Sequence, residues 1–390
     1  MSDLPPADAP SVTRPRRHRG IYDVVVVGGG LVGSALAYGL ARERDCVAVL
    51  DEGDVAYRAS RGNFGLIWVQ SKGMGMPQYG QWTMTSQRGW QRLADELADL
   101  TGIDVHLEQR GGLNVVLSEA EREARIDFMT RLQAQPGMAR YPWRMLDRHE
   151  VASVIPGVGP DVVGASWSPV DGIANPLKLL RAFHTAFDRL GVDYLPHHAV
   201  GEIALKTGVF DVRTPSGVIR GRKIVLASGL ANKTLGAHVG LDVPVRPQRG
   251  QIIVLERTRR ILDTPLVSLR QMDEGTWLIG DSQEEMGFED KTTGLPVLAT
   301  LADRAVRTIP ALREVRAVRA WAALRVMSKD GFPIYEQSQS HPGAFVATCH
   351  SGVTLAAAHA YHYAPMVQAG IIGDALHCFS TERFHVQATA

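Results

Sequence analysis

Cysteine is scarce in this sequence. Three occur in 390 residues, Cys46, Cys349 and Cys378, and no two stand in a C-x-x-C or other metal-type spacing. That excludes a disulfide framework, a structural zinc module and an iron–sulfur ligand set of the chain's own. It suits a reducing, cytoplasmic setting. Net charge is also nearly absent, with 42 Lys and Arg against 41 Asp and Glu. No overall field gathers nucleic acid or an anionic membrane, so neither is expected as a partner. No apolar run reaches the ~20 residues of a membrane-crossing helix, so no membrane span is expected. There is no internal repeat, no H-E-x-x-H helix and no other metal-ligand pattern.

What remains is ordinary soluble composition, 45% hydrophobic and 21% charged, with an abundance of glycine at 39 residues. The length suits two domains. The first twenty residues, "MSDLPPADAPSVTRPRRHRG", are Pro-rich and then basic. The Arg16-Arg17 pair before an apolar run has the form of a twin-arginine export signal. The run, however, carries GGGLVG and a strand ending on acids, which a cleaved leader has no reason to hold. We read 1–20 as a disordered tail.

Apolar periodicity predicts a buried strand over 21–27, a helix over 31–44 and a second strand over 47–50. A helix is predicted over 81–100, with Trp82, Trp90, Leu93 and Leu97 inward, and another over 176–190. "GGLNVVLSEAE" (111–121) predicts a strand turning into a helix at Glu119. Residues 217–228 read as a hairpin leading into a buried strand. "GQIIVLE" (250–256) and "TWLIGD" (276–281) suit an antiparallel sheet. A short strand at 345–348 precedes a helix over 355–370. The order is not a run of βα units. It predicts an α/β chain in which a Rossmann-like dinucleotide domain (21–100, 151–242 and 321–390) is interleaved with an α+β, antiparallel-sheet substrate domain (101–150 and 243–320).

The first of these segments holds G-x-G-x-x-G at Gly28, Gly30 and Gly33. The first glycine permits the tight turn, the second lets backbone approach a pyrophosphate, and the third allows helix and strand to pack closely. The helix that opens at Leu31 and Val32 offers unpaired N–H groups to the phosphates. Asp51 ends the second strand, placed to accept a ribose hydroxyl; Glu52, one step beyond, is the second choice. An acid here argues against NADP and leaves NAD and FAD open. Further on, "CHSGVTLA" puts small residues and consecutive N–H groups at a helix mouth, with Gly352, Val353 and Thr354 as donors. Such a mouth would stabilise the negative charge of a reduced flavin.

Several other stretches recur in the same order as in a known family. They are "ASRGNFGLIW" (59–68), "VDGIANPLKLL" (170–180), "HAVGEI" (198–203), "IVLASGLAN" (224–232), "WAALRVMSKDGFPIYE" (321–336) and "GAFVATCHSGVTLAAAHA" (343–360). With the glycine motif they make the chain, from about residue 21 onward, resemble the flavoprotein amine oxidoreductases of the D-amino-acid oxidase superfamily. That group includes glycine oxidase, sarcosine oxidase and the flavin subunits of opine and D-hydroxyproline dehydrogenases. The last are the most similar in motifs. The resemblance implies non-covalently bound FAD. It implies that Ser60, Arg61, Asn63, Gly65 and Leu66 line the pyrophosphate and flavin. Val200 would contact adenine through its backbone, and Ser228 and Gly229 would close over the dinucleotide.

It also implies that Arg325 clamps a substrate carboxylate beside the flavin, as a planar guanidinium does well. Here the sequence departs from the family's Gly-Leu-Arg-Pro, with Ala323 and Val326 in the outer places. His350 is a second candidate to touch substrate and flavin. Lys72, Tyr79 and Arg270 are further pocket candidates. Cys349 reads as a small buried residue in a glycine's place, not as a point of flavin attachment. The implied reaction is oxidation of a C–N bond of an amino acid or N-substituted amino acid, by hydride transfer to flavin N5, giving an imine. It needs positioning more than an acid or base, so no general base is assigned. Partner subunits carrying an electron relay are implied. The alternatives are a nicotinamide-dependent dehydrogenase and a non-catalytic, flavin-holding member of a complex.

Overall fold

The computed structural model describes residues 20–53, 59–280, 282–287 and 292–385. The expected tail, apart from Gly20, lies outside them. The first strand, Tyr22–Val27, is the centre of an eight-stranded sheet. Its run of valines is buried on both faces, which is why it shows no alternation. It pairs in parallel with Gly217–Leu226 on one side and Val47–Leu50 on the other. The parallel order continues outward to Ala344–Thr348 and to Asp193–Leu195. Ile334–Gln337 closes one edge antiparallel. Helices Leu31–Arg42, Pro176–Leu190 and Pro77–Thr101 pack over this sheet through Leu36, Leu40, Phe183, Phe187, Trp90 and Leu97.

The helix starts follow from their caps. Asn175 accepts from the N–H groups of Leu177 and Lys178, and Pro176 fills the first helical place. Ser118 accepts from Glu121 N ahead of Glu119–Ala134. The second helix begins at Pro77, four residues before the predicted start, because a proline at the first turn loses no hydrogen bond there. The predicted helix over 355–370 is three pieces, Ala356–Ala358, a wide π turn over His359–Tyr363, and Ala364–Ala369. The wide turn stands before Pro365, which lacks an N–H and cannot follow a carbonyl four residues back. The predicted hairpin also moves. Val209–Thr214 and Gly217–Leu226 are its arms, so its turn precedes Gly217.

A five-stranded antiparallel sheet forms the second layer. Its spine is Val245–Arg257, paired over most of its length with Ala317–Ser328 and on its other side with Thr276–Ile279 and Glu284–Glu285. A three-stranded sheet of Gly112–Val116, Gly164–Ser168 and Arg144–Asp147 shares its core, through Leu113, Leu146, Ile253 and Trp277. Two strands cross the expected divisions. Gly164–Ser168 pairs with strands from 101–150, and Ala317–Ser328 starts before 321 and lies wholly in the five-stranded sheet. Among the described residues no helix is long and apolar enough to cross a membrane.

Candidate active site

A cavity of about 1110 Å³ opens where the two sheets meet. One end is built by the glycine turn. Gly28 adopts φ 108°, and a Cβ there would stand 2.5 Å from the Ala227 carbonyl oxygen. A Cβ on Gly33 would overlap the Gly28 carbonyl, so Gly33 keeps helix and strand close and sits behind the wall. Asp51 accepts from Gly29 N at 2.7 Å and Gly53 N at 3.0 Å, which fixes its carboxylate beside the turn. Ser60 accepts from Leu31 N at 2.9 Å at the mouth of the first helix. Gly30, Leu31, Val32, Asp51, Glu52, Ser60, Asn63, Leu66, Val200, Ser228 and Gly229 all line the cavity.

Besides Gly33, two cofactor residues of the expected set do not. Gly65 is turned away, at φ 87°, against Arg270. Arg61 lines a separate hollow of about 760 Å³, beside Arg181 and His184. Arg270 itself is a correction too. It is buried outside the cavity lining and donates to the carbonyls of Phe64, at 2.6 Å, and Ala174, at 3.2 Å. Burial pulls its pKa down to about 10. It ties the 64–65 turn to the second sheet and is not a pocket residue.

The other end of the cavity carries the cations. Arg325 lies on Ala317–Ser328 opposite Gln248 and donates to the Ser282 carbonyl at 2.6 Å. Gly250 makes the room, since a Cβ there would stand 2.7 Å from the guanidinium carbon. Neither Gly250 nor Ser282 was legible as a site residue, because cross-strand register is a long-range fact. Lys72 Nζ meets His350 Nε2 at 3.1 Å and Ser351 Oγ at 3.2 Å. Tyr79 is buried behind them, its hydroxyl 2.9 Å from Ser351 Oγ. Burial, then the charges of Lys72 and Arg325, hold His350 well below the ordinary imidazole range. The ring is therefore neutral. As an acceptor from Lys72, Nε2 is the bare nitrogen and Nδ1 carries the proton. Burial pushes the Cys349 thiol up to about 12, so it stays a thiol.

Between the two ends lies the turn Gly352–Thr354. All three residues are buried and line the cavity. Their backbone N–H groups have no acceptor among the described residues. Buried amides without partners call for an acceptor from a ligand. The Thr354 side chain is spent elsewhere: its hydroxyl donates to Leu66 O and accepts from Trp68 N. The amides fit the negative edge of a flavin, and the glycine turn fits a pyrophosphate.

Fold and cavity together define a two-part dinucleotide-binding oxidoreductase. Residues 23–366 match the profile of the family described as FAD dependent oxidoreductase, and the chain belongs to that family. Its cofactor is therefore FAD, and the nicotinamide reading falls. An opine oxidase subunit of Agrobacterium tumefaciens (strain Ach5) is 43% identical over 365 residues, 94% of this chain and 98% of that protein. Glycine oxidase of Bacillus licheniformis is 25% identical over 89% of this chain and 93% of its own. The crystal structure of glycine oxidase from Geobacillus kaustophilus superposes with a TM-score of 0.85 at 25% identity, covering 93% of this chain and 98% of that one.

Proposed function

We propose that this chain is the catalytic flavin subunit of an enzyme that oxidises the C–N bond of an opine-type, N-substituted amino acid. The observation that carries this reading is Arg325, a cation held at the same cavity as the amides of Gly352, Val353 and Thr354, which have no acceptor among the described residues. The full-length likeness to the Agrobacterium opine oxidase subunit supports the substrate class. FAD, when bound, supplies the hydride acceptor.

This chain's residues do the rest. Gly28, Gly30, Leu31, Val32 and Ser60 receive the pyrophosphate, without covalent attachment. Asp51, ahead of Glu52, takes the ribose, and Val200 the adenine. Asn63, Leu66, Ser228 and Gly229 line the path to the flavin. Arg325 pairs with the substrate carboxylate and fixes the α-carbon. His350, neutral and with Nε2 taken by Lys72, offers its Nδ1–H to the substrate as one hydrogen-bond donor. The amine loses its proton before binding, and the imine product hydrolyses in water unless it is cyclic. The strands Gly164–Ser168 and Ala317–Ser328 go with the substrate domain, and residues 21–100, most of 151–242 and the chain beyond 328 with the FAD domain. Partner subunits would pass electrons onward, since two relatives are named as subunits of an opine oxidase. A reducing cytoplasm suits the unpaired cysteines.

The test is anaerobic mixing of the FAD-loaded chain with D-proline, D-hydroxyproline, sarcosine, glycine, D-alanine, octopine and nopaline. Bleaching of the visible flavin band by octopine or nopaline is expected, with slow recolouring in air. A yellow protein that none of them bleaches would sink the reading in favour of a non-catalytic, flavin-holding member of a complex.

A further inference from the structure

We infer that the outer end of the strand Ala317–Ser328 is a docking edge for a partner protein, which lays an acidic, extended segment with an apolar centre along it. That this partner is one of the subunits suggested above rests on that reading. The surface itself is argued from its own residues.

The strand has two halves. The inner half is buried, and Val326 packs there among Leu235, Val239 and Val243. The outer half, Ala317–Ala320, is exposed at every residue, so neither of its faces is covered. Its neighbour in the sheet is Val245–Arg257, and among the described residues nothing pairs along the other edge. A strand edge with bare N–H and C=O groups is a template for another strand. The ladder also shifts register here. Arg319 stands opposite Val254 and Ala317 opposite Leu255, which leaves Val318 as the extra residue of a bulge. A bulge re-aims a side chain, and Val318 is 61% exposed.

Positive charge gathers at this end of the two strands. Arg257, Arg259, Arg313, Arg316 and Arg319 are all exposed. None of their side chains meets a carboxylate among the described residues, and the Arg319 guanidinium lies 5.6 Å from the centre of the Trp321 ring. Arginines close by in the sequence are matched. Arg260 meets Glu108 and Arg307 meets Asp161, each at 2.6 Å. The acids of the same stretches are Glu256 and Glu314, and Glu256 accepts from Arg316 N at 3.1 Å. The chain as a whole is nearly neutral, so the excess is local.

Like charges set opposite each other across a strand pair repel. Two copies of this edge side by side bring arginine against arginine, so the edge turns a second copy away. The same charges favour a strand bearing Asp or Glu, whose alternate apolar side chains meet Val318. Main-chain bonds then hold the segment and charge selects it. The place also suits a partner of the enzyme. Arg319 and Arg325 are 325 − 319 = 6 residues apart on one strand, about 20 Å of extended chain. Docking edge and cavity therefore share an element.

The probe is a fluorescein-labelled peptide of alternating glutamate and valine, with a lysine-and-valine peptide as its opposite. Each is titrated into the FAD-loaded full chain. Binding is read by anisotropy and by hydrogen exchange at the amides of Ala317–Ala320. The acidic peptide is expected to bind and to slow exchange there about tenfold or more, and the basic peptide to do neither. Arg316→Glu together with Arg319→Glu should weaken the acidic peptide about tenfold or more and make the basic one bind. If the double variant loads FAD poorly, Arg319→Gln alone should still weaken the acidic peptide severalfold. The inference falls if the acidic peptide does not bind, if it leaves exchange at Ala317–Ala320 unchanged, or if it binds these variants as tightly. Slow exchange in the free protein, with a dimer in sedimentation, would mean that a second copy covers the edge, which also overturns it. So would binding of phosphatidylserine vesicles in the peptide's place, which would make the face a lipid surface. None of these outcomes touches the substrate reading, which stands or falls on bleaching of the flavin.

Discussion

Arg325 illustrates how little of a residue's role lies in its own letters. Many arginines crowd this part of the chain, and most end on an exposed face or in a surface pair such as Arg307 with Asp161. Arg325 differs because its strand runs opposite Val245–Arg257, where Gly250 vacates the space its guanidinium needs. The departures from the family motif, Ala323 and Val326, are both buried strand residues paired with Gly250 and Pro247. The site is thus built on a continuous ladder, not on a turn. On the proposed reading, removing the guanidinium takes away a charged substrate anchor worth ~3 kcal/mol, so Arg325→Ala should lose about two orders of magnitude in kcat/KM. FAD content, read from the ratio of visible to protein absorbance, should stay near one per chain. Turnover of an identified substrate at the natural rate would remove Arg325 from the site. The neighbouring candidates separate on the same geometric ground. Lys72 and His350 reach the cavity, Tyr79 stands behind them, and Arg270 is spent on two backbone carbonyls.

At the scale of elements, legibility followed local chemistry. The helix at 176 and the strand-to-helix turn at Glu119 were readable because Asn175, Pro176 and Ser118 announce them. The π turn at His359–Tyr363 was not, although Pro365 stands just after it, because a proline shows that a helix is disturbed while packing decides which turn results. His359 is fully buried, with Nε2 2.8 Å from the Tyr335 hydroxyl, which also accepts from Trp82 Nε1 at 3.0 Å. Burial lowers the His359 pKa from 6.5 to about 3. The unfolded chain takes up this proton below pH 6.5, and the folded chain does not until about pH 3. The contribution is therefore present above 6.5 and is lost as pH falls, with a slope of up to about 1.4 kcal/mol per pH unit. His359→Phe removes that slope along with one hydrogen bond. The variant should melt below the natural protein at pH 7.5, and the gap should narrow or reverse by pH 5. Parallel melting curves across that range would show that His359 is not the group being titrated.

The whole molecule was legible as an alternation and illegible as a seam. Parallel and antiparallel character could be read along the chain, because each leaves its own hydrophobic period. Which strands meet across the division could not, because pairing between Gly164–Ser168 and Gly112–Val116 spans some fifty residues of intervening sequence. The cavity lies on that seam. Gly28, Ser228 and Gly352 reach it from the eight-stranded side, and Gln248, Gly250 and Arg325 from the five-stranded side. A ligand filling it touches both parts at once and binds only where both are folded. FAD should therefore act as a brace as well as a reagent. Binding to the folded state alone stabilises by about 2.7 kcal/mol at a hundredfold excess over the dissociation constant. On the proposed reading, the amides of Gly352, Val353 and Thr354 also lose their acceptor without FAD. Chain stripped of FAD should melt several degrees below the loaded protein and be cut faster by trypsin near the crossing strands. Adding FAD back should restore both properties in proportion to occupancy. Equal melting and equal cleavage with and without FAD would mean that the seam is held by its own packing, and that the cavity contributes nothing to the union of the two parts.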